Sequence, residues 1–207
     1  MGSVKRLSEK LSGQIVRPGL DNFSPELAYI VAEIQGVKVK IDFMADLKGV
    51  NIEEVVKRRE EVAMDIQEGD ELKHVTIYVM SPLYVFMSRA ANVIQLGRRD
   101  DHAIDQLNAS IIILREFLLS LLEDSQQEDD PRGPLRDAMA VLMTLSKFLR
   151  THEAGRVIHD FSENDPATIL QHFMADERLD QRWRDLQLAP QIQKLRVSRE
   201  RREERGL

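Results

Sequence analysis

The sequence predicts a mainly α fold, a helical bundle of about four main helices preceded by a small N-terminal α/β segment with two short strands at most. Three observations predict it. The 207 residues hold only ten glycines and seven prolines, too few for a turn-dense sandwich or barrel. From residue 82 onward, apolar residues recur at intervals of three and four, the spacing of one helix face. Before that point two stretches alternate apolar and polar residues with period two, which suits half-buried strands.

Ser24 and Pro25 form a helix start: the hydroxyl can accept a bond from an unpaired amide, and proline has no amide to leave unpaired. Ala28, Ile30, Val31 and Ile34 follow, and Gly36 can end this helix. Val37, Val39, Ile41 and Phe43 alternate with Lys38, Lys40 and Asp42 and predict a strand over 37–43. Asn51 and Glu54 stand at capping-box spacing, predicting a helix over 52–67 with Val55, Val56, Val62 and Ile66 on its apolar side. Glu68, Gly69 and Asp70 turn the chain, and Val75, Ile77 and Val79 predict the second strand, within 73–80. Two strands alone are marginally stable, so helical cover or a partner subunit's strand is expected.

Ser81 and Pro82 open the first bundle helix, with Leu83, Phe86, Ala90 and Ile94 on one face and Gly97 at its end. Asp101 is the expected cap of the next. Nine of the twelve residues 111–122 are apolar, more than one stripe requires, so this helix is expected to be buried on most sides. Residues 123–134 carry five carboxylates followed by Pro131, Gly133 and Pro134, a solvated connection. Leu135, Met139, Leu142, Leu145 and Leu149 form the third stripe. Asp165 and Pro166 open the fourth, which includes Ile169, Leu170, Phe173 and Trp183, and Pro190 opens a last helix. The organisation read from this pattern is an α/β segment at 1–80, a bundle at 81–189, and a polar, net basic C-terminal helix or tail at 190–207.

The net charge of −6, from 29 basic and 35 acidic residues, argues against a protein whose whole surface binds nucleic acid. The absence of cysteine excludes disulfides, zinc–cysteine sites, iron–sulfur clusters and thiol nucleophiles. Phosphate-binding glycine loops, nucleophile elbows and H-E-x-x-H do not occur. No apolar run reaches the roughly 20 residues of a membrane span, and the N-terminus lacks the apolar stretch of a cleavable signal peptide. A cytoplasmic location, or one within an assembled particle, is expected, with no membrane contact.

His152, His159, Asp160 and Asp165 lie within fourteen residues. The His159-Asp160 dipeptide resembles the paired ligands of helical metal-dependent phosphohydrolases of the HD-domain type. That resemblance implies further histidine and aspartate ligands from separate helices, for which His102 and Asp176 are at hand. His172 and Asp176 stand one turn apart and could face one metal. Against this, His152 and His159 fall at helix ends, where imidazole bonds backbone groups. The sequence therefore assigns no catalytic, cofactor-binding or metal-binding residue, and the expectation is a protein that is not an enzyme and carries no cofactor.

The candidate interaction tail combines apolar Leu188, Ile192 and Leu195 with Arg196, Arg199, Arg201, Arg202 and Arg205. Arginine and Lys194 there could contact nucleic-acid phosphates, be neutralised within the helix by pairs such as Arg196–Glu200 and Arg199–Glu203, or enter another subunit. The first expectation is a helical interaction protein, an adaptor, chaperone or structural component that associates with protein partners and with itself. The succession of the Ser81-Pro82 helix, the break at 97–101, the Leu107/Ile111/Leu114/Leu118 helix, the acidic break, the 135–149 helix and a last helix near Trp183 is similar to the flagellin export chaperone family over about half of the chain. That resemblance implies a bundle that holds a disordered helical client.

Overall fold

A computed structural model describes residues 2–17, 26–34, 37–44, 47–68, 71–127 and 132–206. The chain divides into two compact units, Met1–Leu47 and Lys48–Leu207.

In the first unit, helix α1 (Gly2–Lys10) leads into an antiparallel sheet of β1 (Gln14–Val16), β2 (Glu26–Ile34) and β3 (Val37–Met44), with β2 in the centre. Ile30 of β2 is opposite Ile15 of β1 and Ile41 of β3. The helix expected over this region is therefore a strand, and the Ser24-Pro25 start lies outside the described residues. The reason is visible in burial: Ala28, Ile30 and Ala32 are buried while Glu33 is exposed, a period-two pattern that neighbours on both edges select over the equally available helical reading.

The second unit opens with a short helix, α2 (Ile52–Lys57), whose cap is as expected: the amides of Glu53 and Glu54 donate to Asn51 Oδ1 at 2.8 and 3.3 Å. Glu54 pairs with Arg58 at 3.4 Å instead of reaching back to the cap. The helix stops after six residues, and what was expected as its second half is strand β4 (Glu60–Glu68), paired along its length with β5 (Glu71–Val79). The described residues thus hold five strands in a three-stranded and a two-stranded sheet, where two at most were expected.

The bundle that follows confirms the mainly α class. Its helices are α3 (Pro82–Gln95), α4 (Asp101–Gln127), α5 (Arg132–Thr151), α6 (Glu153–Val157), α7 (Ala167–Ala175), α8 (Gln181–Trp183) and α9 (Ala189–Glu203). A 3₁₀ turn (Ile158–Asp160) follows α6, and a π-helical turn (Arg184–Leu188) joins α8 to α9. Asp100, one residue earlier than expected, caps α4 by accepting the Ala103 amide at 3.0 Å. Leu107, Leu114, Leu118, Leu142, Leu145, Leu170 and Phe173 meet in one core. On α4 the buried residues form a single stripe, and Ile112 and Ile113 are 47% and 52% exposed, so this helix is not covered on most sides. The acidic stretch begins inside α4, which runs to Gln127; residues 128–131 lie outside the described set. No helix among the described residues is long and apolar enough to cross a membrane.

Candidate interaction surfaces

The β4–β5 hairpin has an apolar side that its own unit leaves open. Antiparallel register places Val62 opposite Ile77, Met64 opposite Val75, and Glu60 opposite Val79, and alternate pairs share a face. Val62, Met64, Val75, Ile77 and Val79 therefore form one continuous stripe. Val62, Met64, Ile77 and Val79 are each between 36% and 40% exposed. On the reverse side stand Glu61, Thr76, Asp65 and His74, all exposed, with His74 Nδ1 2.9 Å from Asp65 Oδ1. The two strands pack chiefly on each other.

At the base of the hairpin, Ile52 and Val56 of α2 and Tyr78 of β5 line an open groove of about 640 Å³. The Arg59 guanidinium sits 4.2 Å from the centre of the Tyr78 ring, a cation–π contact that fixes the ring at the edge of the groove. Sequence reading missed this surface. With a cap at Asn51, Val55, Val62 and Ile66 also fit the spacing of one longer helix, which hides the alternation of Val62, Met64 and Ile66 with acidic and small residues.

The C-terminal helix is built into the bundle. Leu188 and Leu195 are almost wholly buried, and Ile192 packs against the same core. These three residues thus serve the fold of their own chain, and the arginines divide by direction. Arg196 pairs with Glu200 at 3.3 Å, as expected. Arg199 does not pair with Glu203 but makes a bidentate bridge to Asp165 at 2.5 and 2.8 Å. Arg202 donates to the Arg156 carbonyl. Arg201 and Arg205 point into a groove of about 510 Å³ that also takes in Lys194, Arg202, Arg150 and Arg156, with no carboxylate in its lining. Arg150 and Arg156 come from α5 and α6, more than forty positions upstream, so only the tertiary fold completes this cluster. Arg150 Nε is buried and makes no hydrogen bond among the described residues.

The histidines take structural positions. His152 is the cap of α6: the Ala154 amide donates to its Nδ1 at 3.2 Å, and its ring stacks on Phe148 with centroids 4.7 Å apart. Burial, which disfavours the charged ring, pushes the His152 imidazole below its ordinary value. His159 Nε2 lies 3.4 Å from Asp160, but no group of three His, Asp or Glu side chains among the described residues is placed to share a metal ion. His172 lies edge-on to Phe173, and the carboxylate of Asp176 is taken by Arg178 at 3.0 and 2.7 Å. That bond, opposed by burial, holds the Asp176 carboxyl below the usual carboxylate range.

Comparison with known proteins finds no protein family, curated protein or solved structure that matches this chain. Neither resemblance seen in the sequence gains support from it. A functional reading therefore rests on the two surfaces: an apolar-faced hairpin and a basic groove.

Proposed function

We propose that this is a non-catalytic interaction protein that associates with further copies of itself through the β4–β5 hairpin, as a component or scaffold of a larger assembly. One observation carries the reading. The stripe of Val62, Met64, Val75, Ile77 and Val79 is continuous, belongs to a fully paired hairpin, and is left open by its own unit. An isolated hairpin is marginal in water, and exposed strand edges invite pairing with another chain. Burying the stripe gains about 25 cal/mol per Å² of apolar surface removed from water, a driving force that the single chain leaves unused. The groove at Ile52, Val56 and Tyr78 lies at the reverse face, with Glu61, and is a separate feature of the hairpin's base.

Light scattering after size-exclusion chromatography tests this directly. Wild-type protein is expected to run above the monomer mass, and Ile77→Lys to run as a monomer with an unchanged helical circular dichroism spectrum. A wild-type chain that stays monomeric at high concentration overturns the reading.

A further inference from the structure

We infer that the surface receiving the hairpin is the basic groove of a second copy, so that chains join head to tail. This inference rests on the self-association reading above and adds to it the site of contact.

Charge selects the partner surface. Residues 60–79 carry Glu60, Glu61, Asp65, Glu68, Asp70 and Glu71 against Lys73 alone. Two hairpins packed face to face would set two net-negative arms against each other, with Glu60, Glu68 and Glu71 at register positions on the packed face, and like charges placed opposite each other destabilise a contact. The groove offers the complement: Arg150, Arg156, Lys194, Arg201, Arg202 and Arg205, with no carboxylate in its lining. Among the described residues, Arg150, Lys194, Arg201 and Arg205 form no ion pair, and Arg150 Nε is buried without an acceptor. The groove thus presents donors that the single chain leaves unused. Val197 is part of its lining, and the aliphatic stems of arginine and lysine can cover an apolar stripe while their heads reach carboxylates.

The dimensions agree. Nine-residue strands extend about 30 Å, and the fifteen residues of α9 extend about 22 Å, so the arm can lie along the whole groove. Donor and receptor surfaces also stand apart on one chain. Glu60, at the base of the hairpin, shares a small cavity with Asp137 near the start of α5, whereas Arg150 lies near its end, about 20 Å further by helix rise. Each copy can therefore give its hairpin and receive another at once. Such a heterologous contact produces a ring or an open filament. A nucleic-acid strand is the rival occupant of a basic groove, but no aromatic residue lines this one, and sequence-tolerant strand binding draws much of its affinity from stacking.

Two neutralised full-length variants test the inference. The groove variant combines Lys194→Ala, Arg201→Ala and Arg205→Ala; the hairpin variant combines Glu60→Gln, Glu68→Gln and Glu71→Gln. Each alone is expected to be monomeric by light scattering, with wild-type circular dichroism. Mixed one to one, they are expected to form a dimer that grows no further, because the only intact pair is the hairpin of the groove variant and the groove of the hairpin variant. The wild-type assembly should loosen as sodium chloride rises from 0.05 to 0.5 M, on the order of a threefold shorter screening length. A groove variant that still assembles overturns the inference and leaves self-association standing; a monomeric wild type overturns both. Retention of a single-stranded DNA 20-mer that the groove variant loses, with assembly unchanged, also overturns it and assigns the groove to nucleic acid.

Discussion

Arg199 on α9 grips Asp165, thirty-four positions earlier, through two parallel N–H to carboxylate bonds at 2.5 and 2.8 Å. The same carboxylate accepts the Ala167 amide at 2.9 Å, so Asp165 caps α7 while it anchors α9. Burial by itself would raise the Asp165 carboxyl, but the Arg199 bonds and charge, with the Ala167 amide, outweigh it and hold the group below its ordinary value. Because the folded value is depressed, the stability it contributes is present above the unfolded carboxylate value and is lost as pH falls through the folded one. Arg199→Met is expected to cost about 1.5–3 kcal/mol, the range for a hydrogen bond to a charged group. Urea unfolding at pH 7 measures that loss, and the gap between variant and wild type should narrow toward pH 2. An equal gap at both values would show that the bridge contributes through packing alone.

His152 predicts a second pH dependence, near neutrality. Its folded imidazole lies below the ordinary value of 6.5, chiefly because burial disfavours the charged ring. The associated stability is therefore complete above pH 6.5 and declines as pH falls below it, since the unfolded chain takes up the proton first. His152→Asn keeps a capping acceptor but has no proton to gain. Melting temperature measured from pH 8 to 5 should fall more for wild type than for this variant; parallel curves would remove His152 from the account.

Two glycines should respond to alanine in opposite directions. A Cβ on Gly155 would stand 2.2 Å from the Phe148 carbonyl oxygen, which is backbone and cannot swing away. At Gly133, in the first turn of α5, a Cβ would meet nothing within 4 Å. Gly155→Ala is expected to destabilise by about 1–3 kcal/mol through overpacking. Gly133→Ala should gain up to about 1 kcal/mol from helix propensity and lost unfolded-state freedom. Differential scanning calorimetry gives both signs in one comparison.

The hairpin should be energetically separable from the bundle. Leu72, at the far end of β5, is 70% exposed, whereas Leu118 is fully buried. Leu118→Ala is expected to cost about 2–5 kcal/mol of bundle stability. Leu72→Ser should change it by less than about 0.5 kcal/mol, as surface changes do. Helical ellipticity followed through urea unfolding reads the bundle alone, and a large loss in Leu72→Ser would mean that the arm folds back and is part of the core.

The bundle was legible because its signals are local. Leu107, Ile111, Leu114 and Leu118 recur at helical spacing and are buried; Asn51, Pro82 and Asp165 stand at helix starts where their chemistry predicts. The strands at 26–34 and 60–68 were not legible. Ala28, Ile30, Val31 and Ile34 satisfy a helical spacing, and so do Val55, Val62 and Ile66, while strand pairing depends on partners that periodicity does not contain. The same limit applied to the candidate site. Leu188, Ile192, Leu195 and the tail arginines were found as a cluster in sequence, but Arg199 finds Asp165 and Arg202 finds the Arg156 carbonyl only after the chain has folded.

By itself, then, the sequence determined the mainly α class, the positions of most bundle helices, and the presence of a basic C-terminal end, because each follows from side-chain spacing within one turn or one helix. The tertiary structure decided which apolar residues stay uncovered and which cations stay unpaired. Both are properties of neighbours brought together from distant positions: β5 pairs with β4 and exposes Val62 and Ile77, and α5 and α6 place Arg150 and Arg156 beside Arg201 and Arg205.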